Sequence, residues 1–315
     1  MTPVIYLVVP CYNEEAVLTE TTKRLDEKFT ALVAGKALSE ESRVVYVDDG
    51  SRDKTWEIIS AIHSENKRFR GIKLSRNRGH QNALLAGLMT VKNEADAVIS
   101  MDADLQDDIN AIDSFIEKFK SGSDIVYGVR SVRETDTFFK RTTAQGFYKV
   151  MNMLGAKVVY NHADYRLMSR RAIDALEQFK EVNLFLRGMV TLVGYKTDIV
   201  TYERGERFAG ESKYPFKKML AFAWDGITSF SVKPIKIITV LGAVVCAGSV
   251  VGLIYSLVSH LCGNTVPGWT SMMMSIWLLG GIQLLSLGII GEYVGKIYSE
   301  TKARPRFIID TYLKD

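Results

Sequence analysis

Two long apolar stretches constrain this 315-residue chain more than any other feature. Apart from Lys236 near its start, Ile235 to Ser259 carries no formal charge, and Trp269 to Ile290 carries none at all. Roughly 20 apolar residues span a bilayer core. Neither stretch has a polar face, which disfavours the alternative of two helices buried in a soluble core. The turn between them, His260 to Gly268, holds no Lys or Arg, whereas Lys233 and Lys236 lie on one side and Lys296, Lys302, Arg304 and Arg306 on the other. By the positive-inside rule both ends face the cytosol and the turn faces out. Residues 233–295 are therefore expected as a transmembrane hairpin and 296–315 as a cytosolic basic tail. Gly248-x-x-x-Gly252 and Gly291-x-x-x-Gly295 would permit close helix packing, and with it a homo-oligomer. Ahead of the hairpin, Pro215 to Phe230 mixes Phe, Trp, Met and Leu with Lys217, Lys218 and Asp225. This composition predicts a juxtamembrane amphipathic helix over 214–232, lying in the bilayer interface; an ordinary surface helix is the alternative.

Before residue 214 the pattern is that of a globular domain. Val4–Val9, Val44–Val47, Gly71–Leu74, Ala97–Met101 and Asp124–Gly128 read as short buried strands. Helical periodicity separates them, over Glu14–Val33, Lys54–Ser64, Gly79–Val91 and Ile109–Lys120. Strands alternating with helices predict βαβ units and a Rossmann-like, mostly parallel sheet. Beyond Arg130 a helix is expected over Phe138–Leu154, a short extended piece over Asp164–Met168, a helix over Arg170–Phe179 and a peripheral strand over Lys196–Tyr202. The net charge of +4 lacks the concentrated basic stripe of a nucleic-acid binder. Cys11, Cys246 and Cys262 have no metal or disulfide spacing, which suits a reducing compartment. Val4–Val9 is too short for the apolar core of a signal peptide.

Three strand ends carry polar groups to one edge: Pro10-Cys11-Tyr12-Asn13-Glu14, Asp48-Asp49-Gly50-Ser51 and Asp102-Ala103-Asp104. In open α/β sheets ligands bind at the carboxyl ends of the strands. Two carboxylates one residue apart repel unless a cation joins them, and hard oxygen donors suit Mg²⁺ or Mn²⁺. A solvated acidic turn is the bland alternative. No GxGxxG follows the first strand and no GxxxxGK[ST] occurs, which disfavours dinucleotide oxidoreductases and P-loop NTPases.

In order, VVPCYNEE, VDDGSRD, DADLQDD, GVRS, DYRLMSR and RFAGESK, followed by two apolar spans, resemble the family-2 inverting glycosyltransferases, and within them the polyprenyl-phosphate branch. The resemblance covers essentially the whole chain. It implies a GT-A domain over 1–213 on the cytosolic face of a bacterial membrane. The implied activity moves one sugar from a nucleotide-sugar donor, UDP-linked by expectation, to polyprenyl phosphate for cell-envelope decoration. Pro10, Tyr12 and Glu14 would then line the base and ribose, and Asp49 would accept from the uracil ring. Asp102, Asp104 and Gln106 stand where the family holds its metal and donor diphosphate. Arg130 and Arg141 match positions gripping the lipid phosphate, and Asp164 an acidic position beside the donor sugar; a structural Asp164 paired with Arg166 or Arg170 stays open. Arg207, with Ser212 and Lys213, matches a loop closing on the diphosphate. The QxxRW of processive relatives is absent. Two rivals remain, a non-lipid acceptor and a catalytically silent scaffold that binds nucleotide sugars. His80 reads as a surface helix residue near the nucleotide side.

Overall fold

The computed structural model describes residues 2–130, 162–182, 184–203, 205, 228, 233–262 and 268–314. Strands β1 (Ile5–Cys11), β2 (Arg43–Asp48), β3 (Phe69–Leu74) and β4 (Ala97–Ser100) alternate with helices α1 (Leu18–Ala34), α2 (Thr55–Glu65) and α3 (His80–Val91). Helix α4 (Ala111–Lys120) leads to β5 (Ile125–Arg130). After it come β6 (His162–Ser169), α5 (Arg170–Glu177), α6 (Leu186–Leu192) and β7 (Thr197–Tyr202). Two long helices, α7 (Lys233–Leu261) and α8 (Trp269–Lys302), precede a last strand, β8 (Ile309–Leu313).

The eight strands form one sheet in the order β7-β5-β6-β4-β1-β2-β3-β8. β1 pairs parallel with both β2 and β4, and β2 pairs parallel with β3. The chain leaves β1 toward β2 and β3 on one side and returns to β4 on the other. That makes the carboxyl end of β1 a topological switch point, where a crevice opens. The α/β architecture expected from the sequence is present, but the sheet is more mixed. β6, expected as a short extended piece, is eight residues long and runs antiparallel between β4 and β5. Its register sets Arg166 opposite Ser100, so Asp164 projects beyond the end of β4, beside the acidic turn.

The core lies on both faces of the sheet. Leu7, Val9 and Ile99 bury against Leu18, Leu25 and Phe29 of α1 and Ile112 and Phe115 of α4. Full burial of such a side chain contributes about 1.5–3 kcal/mol. α3 covers the opposite face, and it approaches closely through Gly87. A Cβ there would lie 2.4 Å from Val8 Cγ1 and 2.9 Å from Val47 Cγ2. A larger residue at 87 would lift α3 off the strands that end at the crevice.

The C-terminal segment differs from the expected tail. α8 continues to Lys302, and Ile309–Leu313 then joins the sheet antiparallel to β3. An unpaired β3 edge would leave a row of backbone donors and acceptors open, and β8 fills it. Lys314 Nζ lies 3.1 Å from Glu94, whose carboxylate also takes Arg70 Nη1 at 2.6 Å. These contacts fasten the strand at one end.

The described residues of Met1–Gly146, Val158–Pro215 and Ala303–Asp315 form one compact unit, and those of Phe216–Lys302 belong to a second. In the second, Ile237, Val240, Val251 and Leu261 of α7 and Met272, Ile276, Leu284 and Leu287 of α8 are each more than half exposed. Among the described residues one stretch is long and apolar enough to cross a membrane, Leu278–Lys302, with a mean hydropathy of 1.4 and none of it buried. Of the two spans expected from the sequence, this stretch overlaps the second. The amphipathic helix expected over 214–232 lies, except for Thr228, outside the described residues, as does the helix expected over Phe138–Leu154.

Candidate active site

The turns after β1 and β2 are sewn together by short polar side chains. Asn13, held at a left-handed φ of 55°, donates its N–H to Ser51 Oγ at 3.0 Å and accepts the Arg52 N–H at 2.9 Å. The Glu14 N–H donates to Thr55 Oγ1 at 2.9 Å, and the Ser51 N–H to Asp48 Oδ1 at 3.1 Å. Pro10 and Cys11 are buried, while Tyr12 and Glu14 are half-buried at the rim. Gly50, with φ of 65°, lets the β2 turn meet the loop after β3: a Cβ there would come within 2.7 Å of the Arg76 backbone. Across this contact Asp49 Oδ1 accepts the Arg78 N–H at 2.7 Å and Oδ2 the Gly79 N–H at 2.8 Å. Asp49 is 2% exposed. Burial pushes its carboxyl up, and the two N–H groups pull against that rise. Asp49 therefore pins the loop that introduces α3.

That loop delivers His80, the first residue of α3, to the end of β4. Its Nε2 lies 3.5 Å from Asp102 Oδ1 and 3.5 Å from Asp164 Oδ2. Burial pulls the imidazole down, but Asp164 and Asp102 more than reverse this and the net shift is upward. His80, read from sequence as a surface helix residue near the nucleotide side, is exposed at the start of α3, and its ring lies between two carboxylates. The backbone after Asp102 is itself unusual. Leu105 has φ of 57°, a conformation that costs a side chain about 1–2 kcal/mol. Gln106 O accepts the Gly205 N–H at 2.9 Å, and Ala103 O accepts Thr21 Oγ1 at 3.0 Å. These flanking bonds hold the turn, so Asp104 and Gln106 stand half-buried on the same loop as Asp102.

Burial, opposed by His80 and reinforced by Asp107, Asp164 and Asp104, raises the Asp102 carboxyl to about 6. Its cationic partner is His80, at 3.5 Å, set against three neighbouring carboxylates. Two of those carboxylates have guanidinium partners of their own. Asp107, 2% exposed, accepts the Tyr202 hydroxyl at 2.6 Å and Arg130 Nη2 at 3.1 Å. Arg130 Nε also donates to the Tyr202 oxygen at 3.3 Å. Asp164 accepts Arg166 Nη2 at 2.6 Å, and Arg187 Nε and Nη2 at 3.2 and 3.0 Å. Burial would push its carboxyl up, but His80, Arg187 and Arg166 hold it well below the usual carboxylate range. Among the described residues no group of three or more His, Cys, Asp or Glu side chains is arranged to hold a metal by itself. One or two carboxylates completed by substrate phosphates are the usual mode for Mg²⁺. The oxygen donors of Asp102 and Asp104 fit that mode.

The structure thus brings Asp102, Asp104, Gln106, Asp164 and Arg130 to one strand edge, with Asp49 buried beneath the adjoining loop. Arg141, Arg207, Ser212 and Lys213 lie outside the described residues. Asp107 and Arg187 were missed. The signal for Arg187 was a single charge in an apolar helix, Leu-Arg-Gly-Met-Val-Thr-Leu. For Asp107 none was visible, because its partners Arg130 and Tyr202 are distant in sequence.

Four similarities to known proteins bear on this site. The family model described as "Glycosyl transferase family 2" matches residues 6–177, more than half of the chain. Over 308 residues the chain is 54% identical to the "Uncharacterized glycosyltransferase YkoT" of Bacillus subtilis (strain 168), covering 98% of this chain and 91% of that protein. It is 42% identical over 310 residues to the "Prophage bactoprenol glucosyl transferase homolog" of Escherichia coli (strain K12), covering 97% and 98%. Identity to the "Bactoprenol glucosyl transferase" of Shigella phage SfX is 41% over 307 residues, again covering 97% and 98%.

Proposed function

The chain belongs to the family-2 glycosyltransferases, and from that premise we propose that it transfers one sugar from a UDP-linked donor to polyprenyl phosphate, with inversion, on the cytosolic face of the membrane. The observation that carries this reading is the acidic turn of Asp102 and Asp104 at the switch point, where Asp102 faces the further carboxylates of Asp104, Asp107 and Asp164. Near-full-length identity to proteins named for bactoprenol glucosyl transfer supports the lipid acceptor.

Transfer builds negative charge on the leaving diphosphate. Asp102 and Asp104, with Gln106 beside them, would hold Mg²⁺ or Mn²⁺, which when bound offsets that charge. Arg207, Ser212 and Lys213 would close on the same diphosphate. Tyr12 and Glu14 line the rim expected to hold the nucleoside, with Pro10 and Asp49 buried behind it. Arg130 and Arg141 would grip the acceptor phosphate, a task that bidentate guanidinium suits better than ammonium. A phosphate monoester has a second pKa of about 6, so it arrives largely ionised at neutral pH and needs no strong base. Asp164, gripped by two guanidiniums, acts as a fixed anchor rather than a proton acceptor. Direct in-line displacement on an α-linked donor gives a β-linked product.

The C-terminal strand supports a multi-pass topology. β8 lies in the same sheet as β1, so on this reading the segments before α7 and after α8 share one side of the membrane. A single crossing by Leu278–Lys302 violates that parity, and two crossings, by α7 and α8, satisfy it. Cysteines placed at Asn264 and Thr265 should label from outside the cell, and a cysteine at Asp310 from inside only.

The direct test is radiolabelling of a lipid extract by a panel of nucleotide sugars in membranes that contain the protein. Donor-dependent label in the lipid phase is the expected result. Label confined to a water-soluble or protein product would identify a non-lipid acceptor and contradict the proposal.

A further inference from the structure

Three guanidiniums flank the acidic turn, and two of them, Arg166 and Arg187, are given no phosphate contact in the scheme above. Arg187 lies on the short helix α6, its Nε 3.2 Å from Asp164 Oδ1 and its Nη2 3.0 Å from Asp164 Oδ2. This two-point grip fixes the plane of the guanidinium. Asp164 does not need Arg187 for charge balance, because Arg166 Nη2 is already 2.6 Å from Oδ1. Nor does α6 need it for packing. Leu186, Met189 and Val190 are each 1% exposed, and the Leu186 N–H donates to Gln81 Oε1 at 2.7 Å.

Accessibility separates the three. Arg166 keeps 2% of its side chain open, Arg130 28% and Arg187 36%. Arg187 is also within electrostatic reach of both Asp102 and Arg130. A carboxylate nine-tenths buried therefore holds a part-exposed, always-charged guanidinium beside the acidic turn. A guanidinium fork suits phosphate oxygens, and fixing it beforehand lowers the cost of binding them.

We propose that Arg187 is a phosphate-binding residue of the transfer site, and that Asp164 is the positioning residue that aims it. The inference rests on the glycosyl-transfer reading, which brings two phosphate groups to this edge, the donor diphosphate and the acceptor monophosphate. Either source presents the same chemistry, and the test separates them.

Full-length wild type, Arg187→Gln and Arg187→Lys would be compared in lipid nanodiscs. The Kd for UDP with Mn²⁺ and the KM for undecaprenyl phosphate, with UDP-glucose as donor, would be measured. Losing a charge-assisted contact should raise one of the two constants about tenfold to a hundredfold in Arg187→Gln. Arg187→Lys, which keeps the charge and loses the fork, should fall between Arg187→Gln and wild type. A change confined to the UDP constant assigns Arg187 to the donor, and one confined to the acceptor constant assigns it to the lipid phosphate. Both constants within twofold of wild type would overturn the inference, even if kcat fell. Wild type that makes no lipid-linked sugar would instead refute the transfer reading, while the UDP arm would still judge Arg187.

Discussion

Asp48-Asp49 at the end of β2 and Asp102-Ala103-Asp104 at the end of β4 are alike in sequence, and the structure treats them in opposite ways. Both are acidic turns that close a buried apolar strand at the same sheet edge. At the β2 end the charges are met by backbone: Asp49 accepts two N–H groups and Asp48 accepts the Ser51 N–H. At the β4 end Asp102 is surrounded by further carboxylates, and His80 is the base that faces it at 3.5 Å. A buried charge met by N–H groups holds a loop in place. One left facing other carboxylates needs a cation or a ligand to complete it. On the proposed reading the first turn serves as scaffold and the second as the site.

That contrast can be broken by substitution. Asp104→Asn should lower sugar transfer by about a hundredfold to a thousandfold, the scale of losing one electrostatic stabiliser of a transition state. Its thermal midpoint should match wild type, and excess chelator should reproduce the loss in the unaltered protein. Asp49→Ala should do the reverse. It takes the carboxylate from two partly buried N–H donors and should lower unfolding stability by about 1–3 kcal/mol, read by denaturant titration. Unaltered stability in that variant would place Asp49 among the ligand contacts instead.

Smaller effects sharpen the comparison. Arg130→Ala should raise the acceptor KM about tenfold to a hundredfold, a loss of about 1.5–3 kcal/mol, and leave UDP affinity within twofold. A fall in UDP affinity with unaltered acceptor kinetics would move Arg130 to the donor side. The smallest signal is in acid stability. Asp164 is held below its unfolded value, so its contribution is fully present above the unfolded pKa and is lost as pH falls through the folded one. Wild type should lose stability toward acid over that range, and Asp164→Asn should lose less.

The alternation of apolar runs and helical periods made the N-terminal fold legible, from β1 to β5, because each of those elements is local. The strand ends at Asp49, Asp102 and Asp104 were legible for the same reason, since a strand followed by polar residues announces its own edge. What was hidden depends on long-range pairing. β6 inserts between β4 and β5 with no βαβ signal, and β8 reaches β3 from the far end of the chain. The ion pairs of Asp107 with Arg130 and of Asp164 with Arg187 span 23 residues each, with no helical or strand period to reveal them. Sequence showed that the two acidic turns are both charged; their difference came from Arg78, Gly79 and His80, supplied by another loop.

The division between scaffold and site is tested most directly by Mn²⁺ binding in the presence of UDP, followed by electron paramagnetic resonance. Wild type and Asp49→Asn, each held at a temperature where it stays folded, should bind the ion alike, and Asp104→Asn should bind it at least tenfold more weakly. Undiminished Mn²⁺ binding in Asp104→Asn, or its loss in folded Asp49→Asn, would contradict the assignment of the β4 turn as the site.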